Sequence, residues 1–224
     1  MNTRHPKGLC WRSRKTKLCF IGVPKNAQTS IRKMFGFHEH PLCRGNYYDL
    51  IKTPGWAKKF TLFCVMRNPY DRLASAYLEI LKRASKQSRD LKNPVNALHK
   101  KTREMPFYRM KESENRFVEF LNQVEKEFWD EHIQPQAFYI LDHSDQLLPF
   151  DHILSFENID ADINEFCRAI GMDKKLPHLN FKSTVDKKRI MGYINNSPTI
   201  KNKIYKIYKQ DFELYKELIG EDIE

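Results

Sequence analysis

The heptapeptide PKNAQTS, from Pro24 to Ser30, has the composition of an anion-binding loop. It follows the apolar run KLCFIGV and carries a full positive charge on Lys25 and hydroxyl groups on Thr29 and Ser30. The first turn of a helix exposes unpaired backbone N–H groups and the positive end of its dipole, which suit a phosphate or sulfate. The glycines of the GxxxxGK(S/T) phosphate loop are missing, so the pattern alone also fits an ordinary capped helix.

A second charged segment, RNPYDRLASAY at 67–77, follows another apolar run, FTLFCVM at 60–66. Arg67 stands at the end of this run, and a guanidinium can bind a phosphate through two parallel hydrogen bonds. Ser75 lies two helical turns further on and can face the same ligand. Taken alone, Arg67 also fits a strand-end arginine engaged in a salt bridge.

The elements that position these residues follow from the apolar pattern. The first run predicts a buried strand, and a helix from about Ile31 to Phe35 follows it, with Thr29 or Ser30 as its N-cap. The second run predicts another strand, followed by a helix that Asn68 caps and Pro69 opens. Two strand–loop–helix units favour an α/β fold with a parallel sheet, whose ligands bind beyond the carboxyl ends of the strands.

The rest of the chain predicts further elements around this frame. Residues 1–16 form a basic N-terminal extension, and residues 17–224 form the main domain. The further predicted elements are a partly helical lid or insertion at about 86–112, a helix at 114–124, a strand at 152–156, a helix that Gly171 ends, and one amphipathic helix at 197–219.

Composition limits the classes of function. The formal net charge is +11, which indicates an anionic partner such as a nucleotide, an acidic polysaccharide, anionic lipid or nucleic acid. No aromatic RNA-binding signature is present, so no nucleic-acid partner is expected. The cysteines number five, without a CxxC pair, which argues against a zinc site or a disulfide framework.

The sequence shows neither a secretion signal nor a membrane-spanning segment. The basic start MNTRHPKGLCWRSRK lacks the apolar core of a signal peptide. No window approaches about 18 uninterrupted apolar residues, so no membrane span is predicted. A soluble cytoplasmic protein is the resulting expectation.

The two charged segments together resemble the donor motifs of the sulfotransferase superfamily, which uses 3′-phosphoadenosine-5′-phosphosulfate (PAPS). PKNAQTS resembles its 5′-phosphosulfate loop, PK-x-x-x-(S/T)-(S/T), and RNPYDRLASAY resembles its 3′-phosphate motif, R-(D/N)-P-(F/Y/W)-x-R-L-x-S-x-Y. The resemblance implies a single domain with a P-loop-like parallel sheet flanked by helices, and no metal. It implies that Lys25 stabilises charge on the bridging oxygen and that Arg67 and Ser75 hold the 3′-phosphate. The implied donor-binding residues are Pro24, Lys25, Asn26, Ala27, Gln28, Thr29, Ser30, Arg67, Ser75 and, from the basic segment NFKSTVDKKR, Lys182 and Ser183.

Further segments are similar to the carbohydrate sulfotransferases of the chondroitin, HNK-1 and heparan 2-O type. They are HIQPQAFYI at 132–140, FDHILSFENIDADINEFCRAIG at 150–171 and YKIYKQDFELYK at 205–216. Ile133 departs from the pattern, because the family usually has tryptophan there. The similarity implies a compact relative whose acceptor is a hydroxyl, with a sugar hydroxyl favoured.

The acceptor hydroxyl requires a general base. The heparan 2-O enzymes carry an H-x-H pair between the two donor motifs, and FHEHPL at 37–42 lies in that interval. The resemblance therefore favours His40, then His38 and then Glu39. His132 is a further candidate, although it also fits a structural histidine.

Two other functions remain open on the sequence. A P-loop-type small-molecule kinase would share the strand–loop–helix site but would require ATP and Mg²⁺. A non-catalytic basic module for acidic polysaccharide or nucleic acid would explain the charge but not the paired motifs.

Overall fold

The structure is a computed structural model that describes residues 9–13, 15–37, 59–85, 94–142, 144–177 and 185–220. The chain divides into two compact units, each assembled from separate stretches of sequence. The sheet unit holds the described residues within 1–68, 135–181 and 213–224, and the helical unit holds those within 69–134 and 182–212.

A four-stranded sheet is the centre of the sheet unit. Its strands lie side by side in chain order, and β2, β3 and β4 are parallel whereas β1 runs antiparallel to β2. The predicted α/β fold with a parallel sheet is therefore confirmed. Residues 9–13, within the predicted N-terminal extension, form an edge strand that the sequence analysis did not include. The strands are β1 (Leu9–Ser13), β2 (Leu18–Gly22), β3 (Thr61–Met66) and β4 (His152–Ser155).

The predicted helices are present, and the structure adds helices at 137–140 and 185–196 that were not predicted from the sequence. The predicted helix at 114–124 ends two residues later, and the predicted terminator Gly171 has a φ of 66°. The helices are α1 (Gln28–Met34), α2 (Pro69–Ala84), α3 (Pro94–Glu104), α4 (Pro106–Arg109), α5 (Glu114–Lys126), α6 (Ala137–Ile140), α7 (Ile159–Ala169), α8 (Val185–Asn196), α9 (Pro198–Ile207) and α10 (Lys209–Ile219).

Both faces of the sheet are covered, which explains why its central strands are apolar throughout. Phe20 and Phe63 lie on one face, with their ring centroids 5.1 Å apart, and pack in one cluster with buried residues of α1 and α7. Ile21 and Cys64 lie on the opposite face and pack with α6 and with Tyr215 of α10. The sheet thus holds the carboxyl ends of β2 and β3 in fixed positions between two layers of helix.

The helical unit is organised around an aromatic core. Tyr77 of α2 packs against Phe120 of α5 at a centroid distance of 4.8 Å, and Phe107 packs against the same ring at 5.3 Å. The described part of the predicted insertion is helical at 94–104 and again at 106–109, while residues 86–93 lie outside the described residues. A lid role for this segment stays a prediction.

Two predicted helix boundaries are wrong. Helix α1 begins at Gln28, so Thr29 lies inside its first turn and the N-cap position belongs to Ala27, which makes no side-chain capping bond. The predicted single helix at 197–219 is two helices that break at Tyr208. The Tyr208 hydroxyl donates to the carbonyl of Ile133 at 2.7 Å. The local sequence pattern does not predict this tertiary contact.

Candidate functional site

The loop after β2 has an unusual backbone. The N–H of Asn26 donates to the carbonyl of Val23 at 3.2 Å and closes a turn. Lys25 and Ala27, on either side of Asn26, have φ angles of 74° and 53°. The left-handed conformation costs a residue with a Cβ about 1–2 kcal/mol. Other contacts must therefore hold the loop in this shape.

Asn26 supplies two of those contacts. Its side chain is fully buried, and Nδ2 donates to the carbonyl of Val65 at 2.7 Å and to Oε1 of Gln136 at 2.6 Å. The first bond ties the loop to β3, and the second ties it to the residue that precedes α6. Nδ2 therefore holds the loop in place. A contact between the other atoms of Asn26 and the nucleotide that donates the sulfuryl group stays a prediction.

Arg67 begins where β3 ends and reaches back to the same loop. Its Nη1 donates to the carbonyl of Lys25 at 2.7 Å. Its Cζ lies 3.8 Å from the ring centroid of Phe156, in a cation–π contact. The structure therefore brings the first predicted motif and the second into direct contact through Lys25 and Arg67.

Gln136 joins the two motifs from a third segment. Its Oε1 accepts from the backbone N–H of Arg67 at 3.1 Å as well as from Asn26, and its Nε2 donates to the carbonyl of Arg67 at 2.8 Å. HIQPQAFYI is predictable from the sequence only as a similar segment, and no role for Gln136 follows from it. The only signal in the sequence was that resemblance, because the partners are far away along the chain.

The end of β4 completes this edge of the sheet. Glu157 accepts the backbone N–H of Asn68 at 2.9 Å through Oε1 and the hydroxyl of Tyr215 at 2.8 Å through Oε2. Ser155 also donates to Oε2, at 3.3 Å. Arg67 and Asn68, which follow β3, are therefore held from the β2 side by the carbonyl of Lys25 and from the β4 side by Glu157.

Comparison with known proteins assigns this arrangement to a family. The chain matches the family described as Sulfotransferase family over residues 10–216, a span that includes both motifs and the sheet that carries them. The chain belongs to the sulfotransferase family. No curated protein and no solved structure matched it. Membership of the family confirms the predicted resemblance and supports sulfotransfer as the general activity.

The remaining predicted loop residues of this sulfotransferase lie around the turn into α1. Pro24 is buried, Gln28 is half-buried, Thr29 is exposed, and Ser30 is buried. Because Thr29 and Ser30 occupy the first turn, their backbone N–H groups belong to the part of a helix that favours anions.

Several other predicted site residues stay predictions. Ser75 is a half-buried residue of α2 in the helical unit, so its pairing with Arg67 stays a prediction. The candidates for the general base at 38–40, namely His38, Glu39 and His40, lie outside the described residues. Lys182 and Ser183 lie outside them as well.

His132, the other candidate base of the sulfotransferase, forms a buried pair with Asp130. Its Nδ1 lies 2.5 Å from Oδ1 of Asp130, and its backbone N–H donates to the same oxygen at 2.8 Å. Burial would raise the pKa of the Asp130 carboxyl, but the hydrogen bonds and the charge of His132 outweigh burial and leave that pKa below its ordinary value. The pair fixes the orientation of the imidazole ring within the helical unit.

Within the described ranges of the sulfotransferase, no group of three or more His, Cys, Asp or Glu side chains is arranged to hold a metal ion. None of the described helices has the length and apolar character needed to cross a membrane.

Proposed function

We propose that this sulfotransferase moves a sulfuryl group from PAPS to an acceptor hydroxyl, with a carbohydrate as the favoured acceptor. The contact between Arg67 Nη1 and the carbonyl of Lys25, at 2.7 Å, carries the proposal. Lys25 belongs to the segment that resembles a 5′-phosphosulfate loop, and Arg67 opens the segment that resembles a 3′-phosphate motif. A donor with anionic groups at both its 5′ and 3′ positions needs these two segments together.

The chemistry of the loop fits such a donor. Between Pro24 and Ser30 the chain offers a cation, two hydroxyl groups and the first-turn amides of α1, and no carboxylate. Positive side chains and helix N-termini favour phosphate and sulfate oxygens, because both provide hydrogen bonds to concentrated negative charge. These cationic and hydrogen-bonding groups therefore support the binding of an anionic nucleotide at this edge of the sheet.

The residues divide the catalytic work between them. When bound, PAPS supplies the sulfuryl group and departs as 3′-phosphoadenosine-5′-phosphate. Lys25 would stabilise the negative charge that develops on the bridging oxygen while the S–O bond breaks. Arg67 would hold the 3′-phosphate, which is the group that distinguishes this donor from ATP. The rigid loop would keep the reacting groups aligned.

The acceptor side requires a base and a binding surface. A new O–S bond forms at the acceptor oxygen while its proton passes to the base, for which His40 is the favoured residue, followed by His38. The net charge of +11 suits an acidic glycan as well as the donor. The segments similar to carbohydrate sulfotransferases support a sugar hydroxyl over other acceptors.

The donor assignment is tested by calorimetric titration with 3′-phosphoadenosine-5′-phosphate, without added metal, with 5′-AMP and ATP as controls. We expect tight binding of the 3′-phosphorylated ligand and much weaker binding of 5′-AMP. The titration is then repeated with added Mg²⁺, and a preference for ATP under that condition would favour the small-molecule kinase. Binding of acidic polysaccharide that weakens steeply with salt, without any nucleotide binding, would favour the non-catalytic module.

The acceptor assignment needs a separate assay with radiolabelled PAPS. Desulfated chondroitin, unsulfated heparan precursor and a phenolic acceptor are incubated with the protein, and incorporated label is measured. We expect label in a polysaccharide and little in the phenol. Label in the phenol alone would overturn the carbohydrate assignment while leaving the PAPS assignment intact.

A further inference from the structure

We infer that Gln136 is a positioning residue of the sulfotransferase, which fixes the 5′-phosphosulfate loop relative to the 3′-phosphate motif. The inference rests on the proposed function, because it concerns how the donor site is shaped. Gln136 is fully buried and is not itself proposed to touch the donor. It acts through Asn26 on one side and Arg67 on the other.

The amide of Gln136 uses both of its ends. Oε1 accepts from Nδ2 of Asn26 at 2.6 Å and from the N–H of Arg67 at 3.1 Å, while Nε2 donates to the carbonyl of Arg67 at 2.8 Å. A carboxylate offers only acceptors and an ammonium only donors, so neither can make this set. The pattern therefore requires a neutral amide at this position.

The body of Gln136 is anchored independently of these bonds. Its backbone carbonyl accepts the N–H of Tyr139 at 2.9 Å, at the start of α6. Ala137, Tyr139 and Ile140 of α6 are buried in the apolar cluster on one face of the sheet. The side chain of Gln136 consequently extends from a fixed backbone, so its hydrogen bonds hold Asn26 and Arg67 in position.

The contacts form a closed ring around the site. Gln136 binds Asn26, the next residue back is Lys25, the carbonyl of Lys25 accepts from the Arg67 guanidinium, and the Arg67 backbone returns to Gln136. Opening the ring at Gln136 frees the loop to leave the left-handed conformation of Lys25 and Ala27. The two groups proposed to hold the two ends of the donor would then lose their fixed separation.

Gln136→Met tests the inference, because it keeps an unbranched side chain of similar length and removes every amide bond. The matched control is Gln134→Met, since Gln134 also donates its Nε2 to a backbone carbonyl, that of Phe128 at 3.0 Å, but within the helical unit. We expect Gln136→Met to weaken binding of 3′-phosphoadenosine-5′-phosphate at least tenfold and to lower kcat about 10- to 100-fold, as misplacement of reacting groups by about 1 Å does. The control should leave both constants unchanged.

A double-mutant cycle separates positioning from a general loss of stability. Asn26→Ala and Gln136→Met should have less than additive effects on the Kd of the bisphosphate, because both open the same ring. Each constant is measured well below the melting temperature of each variant. A folded Gln136→Met protein with a lower Tm and the wild-type Kd would overturn the inference, and so would additive effects.

Two further outcomes keep the test decisive. If Gln136→Met does not fold, Gln136→Glu takes its place, because it keeps both bonds accepted by Oε1 and loses only the donation to the Arg67 carbonyl. A wild-type Kd in a folded Gln136→Glu protein would show that the donation to the Arg67 carbonyl is not needed, which would overturn the requirement for a neutral amide on which the inference rests. If the wild-type protein itself does not bind the bisphosphate, the proposed function fails, which is a different result from failure of the Gln136 variants alone.

Discussion

The guanidinium of Arg67 donates to the backbone carbonyl of Lys25 and has its Cζ 3.8 Å from the ring centroid of Phe156. Arg67 is only 5% exposed, so its side chain belongs to the structure of the site as well as to its proposed ligand contacts. The sequence alone fits either a ligand-binding arginine or one engaged in a salt bridge. The observed contacts combine a hydrogen bond from Nη1 with a cation–π contact at Cζ, and lysine lacks the planar fork that makes both at once.

Arg67→Lys tests this combination at constant charge. The variant loses the planar fork, and hydrogen bonds to charged groups contribute about 1.5–3 kcal/mol, so we expect binding of 3′-phosphoadenosine-5′-phosphate to weaken about 10- to 100-fold. The Tm should also fall, because the contacts with Lys25 and Phe156 are lost. Calorimetry and thermal unfolding measure the two effects. A wild-type Kd in Arg67→Lys would show that the planar fork of Arg67 does not hold the 3′-phosphate.

Lys25 combines a proposed catalytic charge with a left-handed backbone, and two substitutions separate these roles. Lys25→Ala and Lys25→Gly should both lower kcat about 100-fold, as loss of one group that stabilises transition-state charge does, with little change in donor affinity. Because glycine tolerates the φ of 74°, Lys25→Gly should be more stable than Lys25→Ala by about 1 kcal/mol. Urea unfolding gives the stability difference. Equal stabilities would show that the loop changes conformation once the lysine side chain is gone.

Gly22, the last residue of β2, has no space beside it for a side chain. A Cβ added there would lie 2.2 Å from Cζ3 of the buried Trp11. Gly22→Ala should therefore destabilise the protein by about 1–3 kcal/mol through overpacking. Gly192 is the matched control, because it lies within α8 and a Cβ there meets nothing within 4 Å. Gly192→Ala should stabilise the protein by about 0.5–1 kcal/mol. Denaturant unfolding of both variants checks the pair, and destabilisation of equal size at both sites would contradict it.

The Asp130–His132 pair predicts a specific response to acid. The pKa of Asp130 is lower in the folded protein than in the unfolded chain, so its stabilising contribution is complete above the unfolded value of about 3.9 and is lost as the pH falls below it. Asp130→Asn should be less stable at neutral pH, and its free energy of unfolding should fall less steeply between pH 5 and about pH 2. Urea unfolding over this range measures both.

The control for that experiment is Asp186→Asn. Asp186 forms an exposed ion pair with Arg189 within α8, and such pairs contribute little. The free energy of unfolding of Asp186→Asn should change with pH as that of the wild-type protein does. If Asp130→Asn also follows the wild-type dependence on pH, the buried pair does not contribute to acid sensitivity.

The central strands β2 and β3 were predictable because their residues are apolar on both faces, which is what a parallel strand between two helix layers requires. The strand–loop–helix order then located both motifs at the carboxyl ends of these parallel strands. The start of α1 was not predictable, because Ala27 takes a left-handed conformation that contacts from other segments support. Gln136 had no local pattern at all: its partners lie 110 and 69 residues away. Side-chain bonds over such separations follow from the completed fold and not from periodicity.

The antiparallel pairing of β1 also bears on the colloidal behaviour of the protein. β2 has the sequence LCFIG, which is apolar at every position except its final glycine, and β1 pairs along one of its two edges. Detachment of β1 would present a row of unpaired N–H and C=O groups on a strongly hydrophobic strand, and such an edge recruits strands from other molecules. Aggregation is therefore the expected fate of a protein whose first strand has come loose, even where the donor loop and its supporting residues are unchanged.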